Sequence, residues 1–153
     1  MARFIFYGCL VLILAGCSKS EFPKAIRVEG HVTYKQQPVE GATVILVPLN
    51  AEGHSATGIT EADGSFSLST YMNPQTRLPG AIAGDYQVSI TKREVQKIPE
   101  GLDGFQAMAY FSKLPPPKSL IPEIYANSAK SGFTVMVGTT APAPLQLDLI
   151  DKK

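Results

Sequence analysis

Residues able to do acid–base or metal chemistry are few in this chain. It has only two histidines, His31 and His54, and neither is followed three residues later by a glutamate. A zinc hydrolase needs two or three His and Glu ligands that converge and leave one coordination position open. The alternation over residues 26–34 places His31 on the outward side of a strand, and His54 falls in a polar loop. We therefore expect two solvated surface histidines and no metal site.

Two further motifs approach known reactive sites but lack essential parts. Residues 53–57 contain Ser55 in a near match to the Gly-x-Ser-x-Gly nucleophile elbow, but Thr57 replaces the second glycine and no strand-turn-helix pattern surrounds it. Residues 61–64 have two carboxylates of a calcium loop without the others at EF-hand spacing. A tight turn accounts for the second motif without a metal. The sequence predicts no catalytic residue and no cofactor, so we expect a protein that is not an enzyme.

Another reactive residue, Cys17, ends an amino-terminal targeting pattern. Arg3 supplies a positive charge, residues 4–14 are apolar apart from a glycine, and the run closes with Leu14-Ala15-Gly16-Cys17. This segment resembles the signal peptide of bacterial lipoproteins, whose lipobox has this form. The resemblance implies cleavage of residues 1–16, a lipid on the sulfur of Cys17 and acylation of its new amino group. The alternatives are an ordinary cleaved signal and a membrane span, which needs about 17–25 apolar residues and is longer than this run.

The chain that remains after cleavage is electrically balanced. Loss of Arg3 leaves 13 Lys and Arg against 13 Asp and Glu. A formal charge of zero gives no electrostatic reason to expect binding to nucleic acid or to anionic lipid. Cys9 leaves with the signal and Cys17 carries lipid, so no disulfide is available to the exported domain. Burial of apolar surface must hold the fold, and a chain of this length is sufficient for that.

The lipid on Cys17 makes a membrane the first expected partner. Residues 17–25 form a short tether, and the eight residues after the cysteine reach at most about 29 Å. Several acyl chains together anchor a protein far more firmly than one. We expect the domain on the outer side of the cytoplasmic membrane or on the outer membrane. Ser18 favours the outer membrane, because in bacterial lipoproteins an aspartate at that position favours retention in the inner one.

Alternation of apolar and polar residues predicts one all-β domain over residues 26–150. The buried side of the first strand is expected to consist of Ile26, Val28, Gly30, Val32 and Tyr34. The glycine on this side leaves room for a neighbouring side chain. The nearly continuous apolar run 42–47 is typical of a central strand covered on both faces. Further strands are expected at residues 84–92, 133–137 and 145–149.

The stretch 57–68 is central to this pattern. Asp63 and Gly64 are a strong turn signal, because aspartate bonds its own backbone and glycine accepts a positive φ. After the turn, Phe66 and Leu68 alternate with serines, which is the period of a strand with one buried face. We expect a hairpin of two short strands here.

Irregular structure is expected over residues 70–83 and in a long insertion at about 93–132. The insertion contains three consecutive prolines, which favour an extended chain, and a loop of this length is either functional or partly disordered. Four aromatic residues in these loops form a possible binding patch: Tyr71, Phe105, Tyr110 and Phe111. The chain has no tryptophan, and apolar residues such as Met108 and Leu114 lie near these rings in the sequence. Both features favour packing of the rings against the domain.

Four motifs in a fixed order carry a resemblance to a known family. They are Val28-Glu29-Gly30-His31-Val32-Thr33-Tyr34, Pro38-Val39-Glu40-Gly41-Ala42, Thr60-Glu61-Ala62-Asp63-Gly64-Ser65-Phe66 and Gly84-Asp85-Tyr86-Gln87-Val88. The chain resembles the carboxypeptidase regulatory-like domain of bacterial envelope proteins. The resemblance implies a transthyretin-like or Ig-like β-sandwich of seven strands in two sheets. The family has no common ligand or reaction, so it implies little about function.

Together these features predict a non-enzymatic, membrane-anchored envelope lipoprotein that acts as a structural or protein-interaction module. The alternative is a carbohydrate- or peptide-binding domain that uses the 93–132 insertion or a free sheet edge. An enzyme of unrecognised type is the third hypothesis. The expected partners are the membrane, through the lipid on Cys17, and an envelope protein or glycan whose identity the residues do not reveal, with no nucleic acid.

Overall fold

The computed structural model describes residues 22–151 of the chain, and these form a mostly β structure. The predicted signal peptide and the lipidation residue Cys17 lie outside the described residues. The strands are β1 (Ala25–Ile26), β2 (Glu29–Tyr34), β3 (Gln37–Pro38), β4 (Thr43–Pro48), β5 (Ala56–Ile59), β6 (Ser65–Ser67), β7 (Ser69–Asn73), β8 (Thr76–Pro79), β9 (Ala81–Ile82), β10 (Gly84–Thr91), β11 (Thr134–Val137) and β12 (Leu145–Leu149). The helices are α1 (Gly104–Phe111) and α2 (Ser128–Ser131), with a 3₁₀ turn at Glu123–Ala126.

Two larger sheets enclose a common core, as in a β-sandwich. One has six strands in the order β11-β10-β4-β5-β7-β8, and the other is built on β2, which pairs with β12, β3 and β6. All pairings are antiparallel except that of β12 with β2. The short strands β1 and β9 pair with each other outside these sheets. The expected count of seven strands is not confirmed: twelve segments occur in the described residues, three of them only two residues long.

Side chains that alternate along the strands supply the core, as the sequence pattern predicts. Val28, directly before β2, and Val32, within β2, are buried. Tyr86, Val88 and Ile90 are buried in β10. Because successive strand residues point to opposite faces, these residues meet between the sheets while their neighbours face out.

The central position of β4 is confirmed, since it lies between β10 and β5. Val44 and Leu46 are fully buried, whereas Ile45 and Val47 are only partly buried. The expectation of full cover on both faces is therefore wrong. Only the inner face of β4 meets the second sheet, and its outer face retains contact with solvent.

The expected hairpin at residues 57–68 is wrong, although its turn chemistry is correct. Gly64 has φ +80° and its N–H donates to the Glu61 carbonyl, while the Asp63 side chain accepts from the Ser65 N–H. However, β5 pairs with β4 and β7, and β6 pairs with β2 in the other sheet. The turn therefore carries the chain from one sheet to the other.

The segment 70–83 forms strands where irregular structure is expected. Pro79 is tolerated because β8 is an edge strand, so its missing N–H costs no internal bond. The other proline, Pro74, lies in the turn between β7 and β8. The Asn73 side chain completes that turn by accepting from the N–H groups of Gln75 and Thr76.

The long insertion is not a single loop. Its last part packs against the core: Ile121 is buried, Tyr125 is fully buried, and the Tyr125 hydroxyl bonds with the Ile150 backbone. The Tyr125 ring also stacks on Phe133 with 5.7 Å between centroids. In contrast, no residue between 94 and 118 is buried. We refer to residues 94–118 as the arm.

Candidate functional site

The residues with possible catalytic chemistry are not brought together. His31 is exposed on the outer side of β2, and His54 is half-buried in the loop between β4 and β5. Ser55 is exposed, and no hydrogen bond joins it to His54 among residues 22–151. Within the same residues, no group of three His, Cys, Asp or Glu side chains is placed to hold a metal ion.

Tyr71, one of the four predicted patch residues, lies on strand β7 and not in a loop. Its ring is exposed and the Arg77 guanidinium of β8 lies 5.8 Å from the ring centroid. β7 is near the β8 edge of the six-stranded sheet, whereas the arm begins after β10, near the β11 edge. The sheet thus separates Tyr71 from the other three aromatic residues.

The other three aromatic residues, Phe105, Tyr110 and Phe111, do lie together, on helix α1 within the arm. The prediction that they sit in a loop is wrong, and so is the expectation that they pack against the domain. None of the residues of α1 is buried, and the side chain of Phe105 is 83% exposed. Tyr110 and Phe111 are 36% and 43% exposed, so all three rings contribute to an apolar surface on the arm that is open to solvent, Phe105 most of all.

Local sequence explains why this segment is helical. Asp103 caps the helix by accepting from the Gln106 N–H at 2.8 Å, and the Gln106 side chain accepts from the Asp103 N–H. This reciprocal capping box satisfies two backbone donors at the helix start. At the other end the Ser112 N–H donates to the Met108 carbonyl, and the proline run from residue 115 prevents continuation.

The two ends of the arm are clamped to each other. The Glu94 N–H donates to the Lys118 carbonyl at 2.9 Å, and the Leu120 N–H donates to the Lys92 carbonyl at 2.8 Å. Further along, the Gln96 side-chain amide donates to the Pro115 carbonyl at 2.6 Å. The arm is therefore a closed extension of the sandwich with a fixed base.

The surface of α1 is suited to apolar contacts more than to hydrogen bonding. Phe105 and Met108 are one helical turn apart, and Tyr110 and Phe111 cover the adjoining side. The helix carries no charged residue, and its one amide side chain, Gln106, is used in the cap. The exposed apolar surface continues along the arm with Val95, Ile98 and Leu102.

The arm and Ala25, the last residue of the predicted tether, lie at opposite ends of the sandwich. Ile26 pairs with Ala81, just before β10 begins, and the arm starts just after β10 ends. β10 has eight residues, which at about 3.3 Å each separate the two ends by roughly 26 Å. We call these the tether end and the arm end.

Sequence reasoning missed that the arm is exposed and contains the helix α1. The available signal was Asp103 followed three residues later by Gln106 and an apolar stretch, which is the pattern of a capping box. Exposure had no such signal, since an apolar helix has the same composition whether or not it is buried.

No protein-family model, curated protein or solved structure matches this chain. Among residues 22–151, no helix is long and apolar enough to cross a bilayer. The site must therefore be interpreted from its own geometry and chemistry.

Proposed function

We propose that this protein is a lipid-anchored bacterial envelope lipoprotein without enzymatic activity, and that it binds a partner protein through the arm. The proposal includes a transthyretin-like sandwich, a signal peptide cleaved before Cys17 and an outer-membrane location. The lipobox at residues 14–17 supports the anchor, and the face-to-face sheets support the fold.

One observation carries the interaction role: α1 exposes its aromatic and apolar side chains without burying any residue. Met108 is 74% exposed and Phe105 is 83% exposed. Ordering such a helix in water without a covering surface has no folding benefit, and contiguous exposed apolar surface marks interaction sites. The fixed base of the arm holds this surface away from the tether end.

The partner that fits α1 is a protein with an apolar groove. Short helices bind such grooves through side chains at i and i+3 or i+4, which Phe105, Met108 and Ala109 supply. A carbohydrate site would need hydrogen-bond groups beside its aromatic rings. The helix offers the Tyr110 hydroxyl for this purpose, with Gln106 occupied by the cap. Carbohydrate binding is therefore the less favoured alternative.

Site-specific photocrosslinking in the native host tests this proposal. A photoreactive residue at Phe105 should capture a defined protein, and one at Gln75, an exposed turn residue distant from the arm, should not. The adduct should disappear with Met108→Glu, which keeps a good helix former but places a charge on the apolar surface. Gln75→Glu adds the same charge elsewhere and should leave the adduct unchanged. Equal capture at both positions would overturn the proposal.

Replacement of the arm separates the protein partner from a glycan. Because Glu94 and Lys118 are already hydrogen-bonded, residues 95–117 can be exchanged for the hairpin dipeptide Asn-Gly without opening the core. The shortened protein should fold and lose the partner. If a glycan array detects binding by the natural chain that the shortened chain lacks, with no protein adduct at Phe105, the carbohydrate alternative replaces our proposal.

A further inference from the structure

A cleft of about 610 Å³ lies at the tether end of the sandwich, distant from the arm. Arg27, Arg77, Ser67 and Ser69 line it, and Ala25, the last residue of the tether, forms part of its wall. The cleft thus opens beside the point where the chain leaves for Cys17. Nothing in the proposed interaction through the arm uses these residues.

The chemistry of the cleft is that of an anion site. Both arginine side chains are exposed, and no carboxylate of residues 22–151 forms an ion pair with Arg77. Arg27 has one ionic partner, Glu29, at 2.6 Å. A guanidinium binds phosphate oxygens through two parallel N–H groups, which makes arginine well suited to phosphate recognition.

A serine hydroxyl adds a second feature. Ser69 as a residue is only 4% exposed, and no hydrogen bond occupies its hydroxyl among the described residues. No buried side-chain oxygen in these residues lacks a partner, so this hydroxyl reaches the surface of the cleft. The strand register places Ser69 opposite Pro79 and Tyr71 opposite Arg77, so Ser69 and Arg77 lie on the same outer face. A serine hydroxyl that faces the cleft can donate a hydrogen bond to an anion oxygen held by the arginines.

Charge around the tether is also uneven. Lys24 is exposed immediately before Ala25, so three cations, Lys24, Arg27 and Arg77, lie near the tether entry, where the Glu29 carboxylate pairs with Arg27. The formal neutrality of the mature chain, which gave no reason to expect anionic lipid, does not describe this local excess. Electrostatic attraction to a membrane falls off within about one Debye length, so the local charge decides it.

We propose that this cleft binds the phosphate of an anionic phospholipid headgroup in the membrane that holds Cys17. The inference rests on the proposed function for its lipid source, since the tether keeps the cleft within about 29 Å of the bilayer. At that distance headgroups are present at high effective concentration, and a weak site is occupied. Occupancy seats the tether end on the membrane and directs the arm away from it.

Vesicle binding by a chain that begins at Ser18 tests the cleft without the lipid anchor. Its core comes entirely from residues 26–149, so this chain retains the whole sandwich. We expect binding to phosphatidylcholine vesicles that contain phosphatidylglycerol and none to phosphatidylcholine alone. Each Lys or Arg near an anionic surface contributes about fivefold in affinity. Arg77→Gln should therefore weaken binding about fivefold, and Arg27→Gln with Arg77→Gln more than tenfold.

A matched control removes two charges at the other end of the molecule. Lys97→Gln with Lys113→Gln should change vesicle binding less than twofold, because both lysines lie on the arm. An equal loss in this control, or the absence of any preference for phosphatidylglycerol, would overturn the proposal. All variants should keep the same thermal unfolding midpoint, since the four side chains are exposed.

Titration with inorganic phosphate distinguishes a lipid headgroup from a soluble anion. Small NMR chemical-shift changes at the Ser69 and Arg77 amides on addition of phosphate, together with vesicle binding, support the proposal. Saturation by inorganic phosphate without vesicle binding would assign the cleft to a soluble anion and overturn the lipid source. Because this chain carries no lipid, the outcome is independent of whether Cys17 is acylated, and failure of one proposal is not mistaken for failure of the other.

Discussion

Gly30 marks the closest approach of β2, β6 and β12. A Cβ atom at this position would lie 2.5 Å from the Leu145 carbonyl oxygen and 2.7 Å from the Phe66 ring. The carbonyl belongs to the backbone, so it can yield only if the parallel β12–β2 pairing shifts. The absence of one side chain thus sets the spacing within this sheet.

We expect Gly30→Ala to lower the free energy of unfolding by about 1–3 kcal/mol, the usual cost of overpacking a core. Urea denaturation of the chain from Ser18 measures this change. Gly138→Ala is the matched control, because a Cβ there meets nothing within 4 Å and should leave stability almost unchanged. Equal effects of the two substitutions would contradict the steric account.

A second residue-scale feature is the contact between the first long strand and the carboxyl end of the described chain. The Tyr34 hydroxyl donates to the Asp151 carboxylate at 2.6 Å, and the Lys35 ammonium lies 3.0 Å from the same group. These two interactions hold the pKa of Asp151 below its ordinary value of 3.8. Lys35 and Asp151 are 116 positions apart in the sequence, and no local pattern indicated this contact.

The lowered pKa has a defined effect on stability. A carboxyl whose pKa is lower in the folded than in the unfolded chain stabilises the fold above the unfolded pKa, and this contribution is lost as pH falls through the folded one. We expect carboxyl NMR titration to find the Asp151 midpoint below 3.8. Tyr34→Phe removes only the hydroxyl and should raise this midpoint toward 3.8. An unchanged midpoint in that variant would show that Tyr34 is not the principal cause.

At the scale of elements, α1 differs from every strand because it depends on its cap and not on the core. Its eight residues are too few for a stable helix in water on propensity alone. The capping box and the clamped base of the arm therefore have to maintain it. Its stability should be separable from that of the sandwich.

We expect Asp103→Ala to destabilise α1 locally by about 1 kcal/mol, the usual cost of losing an N-cap. Amide hydrogen exchange in the helix should accelerate about fivefold, while the unfolding midpoint of the sandwich stays unchanged. Asp103→Asn retains a capping oxygen and serves as the control, with exchange close to that of the natural chain. A lower global midpoint for Asp103→Ala would mean that α1 is part of the cooperative fold.

At the scale of the whole molecule, the proposed anchor and the proposed partner-binding surface lie at opposite ends of the sandwich. The tether end carries the proposed phosphate cleft, and the arm end exposes apolar surface roughly 26 Å away, the length of β10. Such a separation would let a membrane-bound protein present its binding helix to the space beyond the headgroups. The tether itself is too short to lift the domain further than about one diameter.

The anchor is tested at this scale by metabolic labelling with radioactive palmitate. We expect the natural chain to incorporate the label and to fractionate with membranes, since several acyl chains bind a bilayer almost permanently. Cys17→Ser should abolish incorporation, whereas Ser18→Ala, beside it, should not. Undiminished labelling of Cys17→Ser would exclude lipidation at this residue.

Patterns with a short range along the chain were sufficient for much of the fold. Alternation every second residue identified the inward face of β2 and β10, because the pleat relates each side chain directly to its neighbours. Asp63 and Gly64 predicted their turn for the same reason, since the bonds involved span only a few residues. The prediction of cleavage and lipidation at Leu14 to Cys17 also uses only neighbouring residues, but these lie outside the described part of the chain and it stays a prediction.

Pairing between distant segments required the folded molecule. By their local pattern, the residues on either side of Asp63 and Gly64 are compatible with a hairpin. In the folded molecule, however, β5 and β6 pair with other strands and lie in different sheets. The exposure of α1 and the convergence of Arg27 with Arg77 depend in the same way on packing across many residues. A periodic pattern indicates which side chains are buried. Which strand packs against them is decided by the free energy of the whole chain.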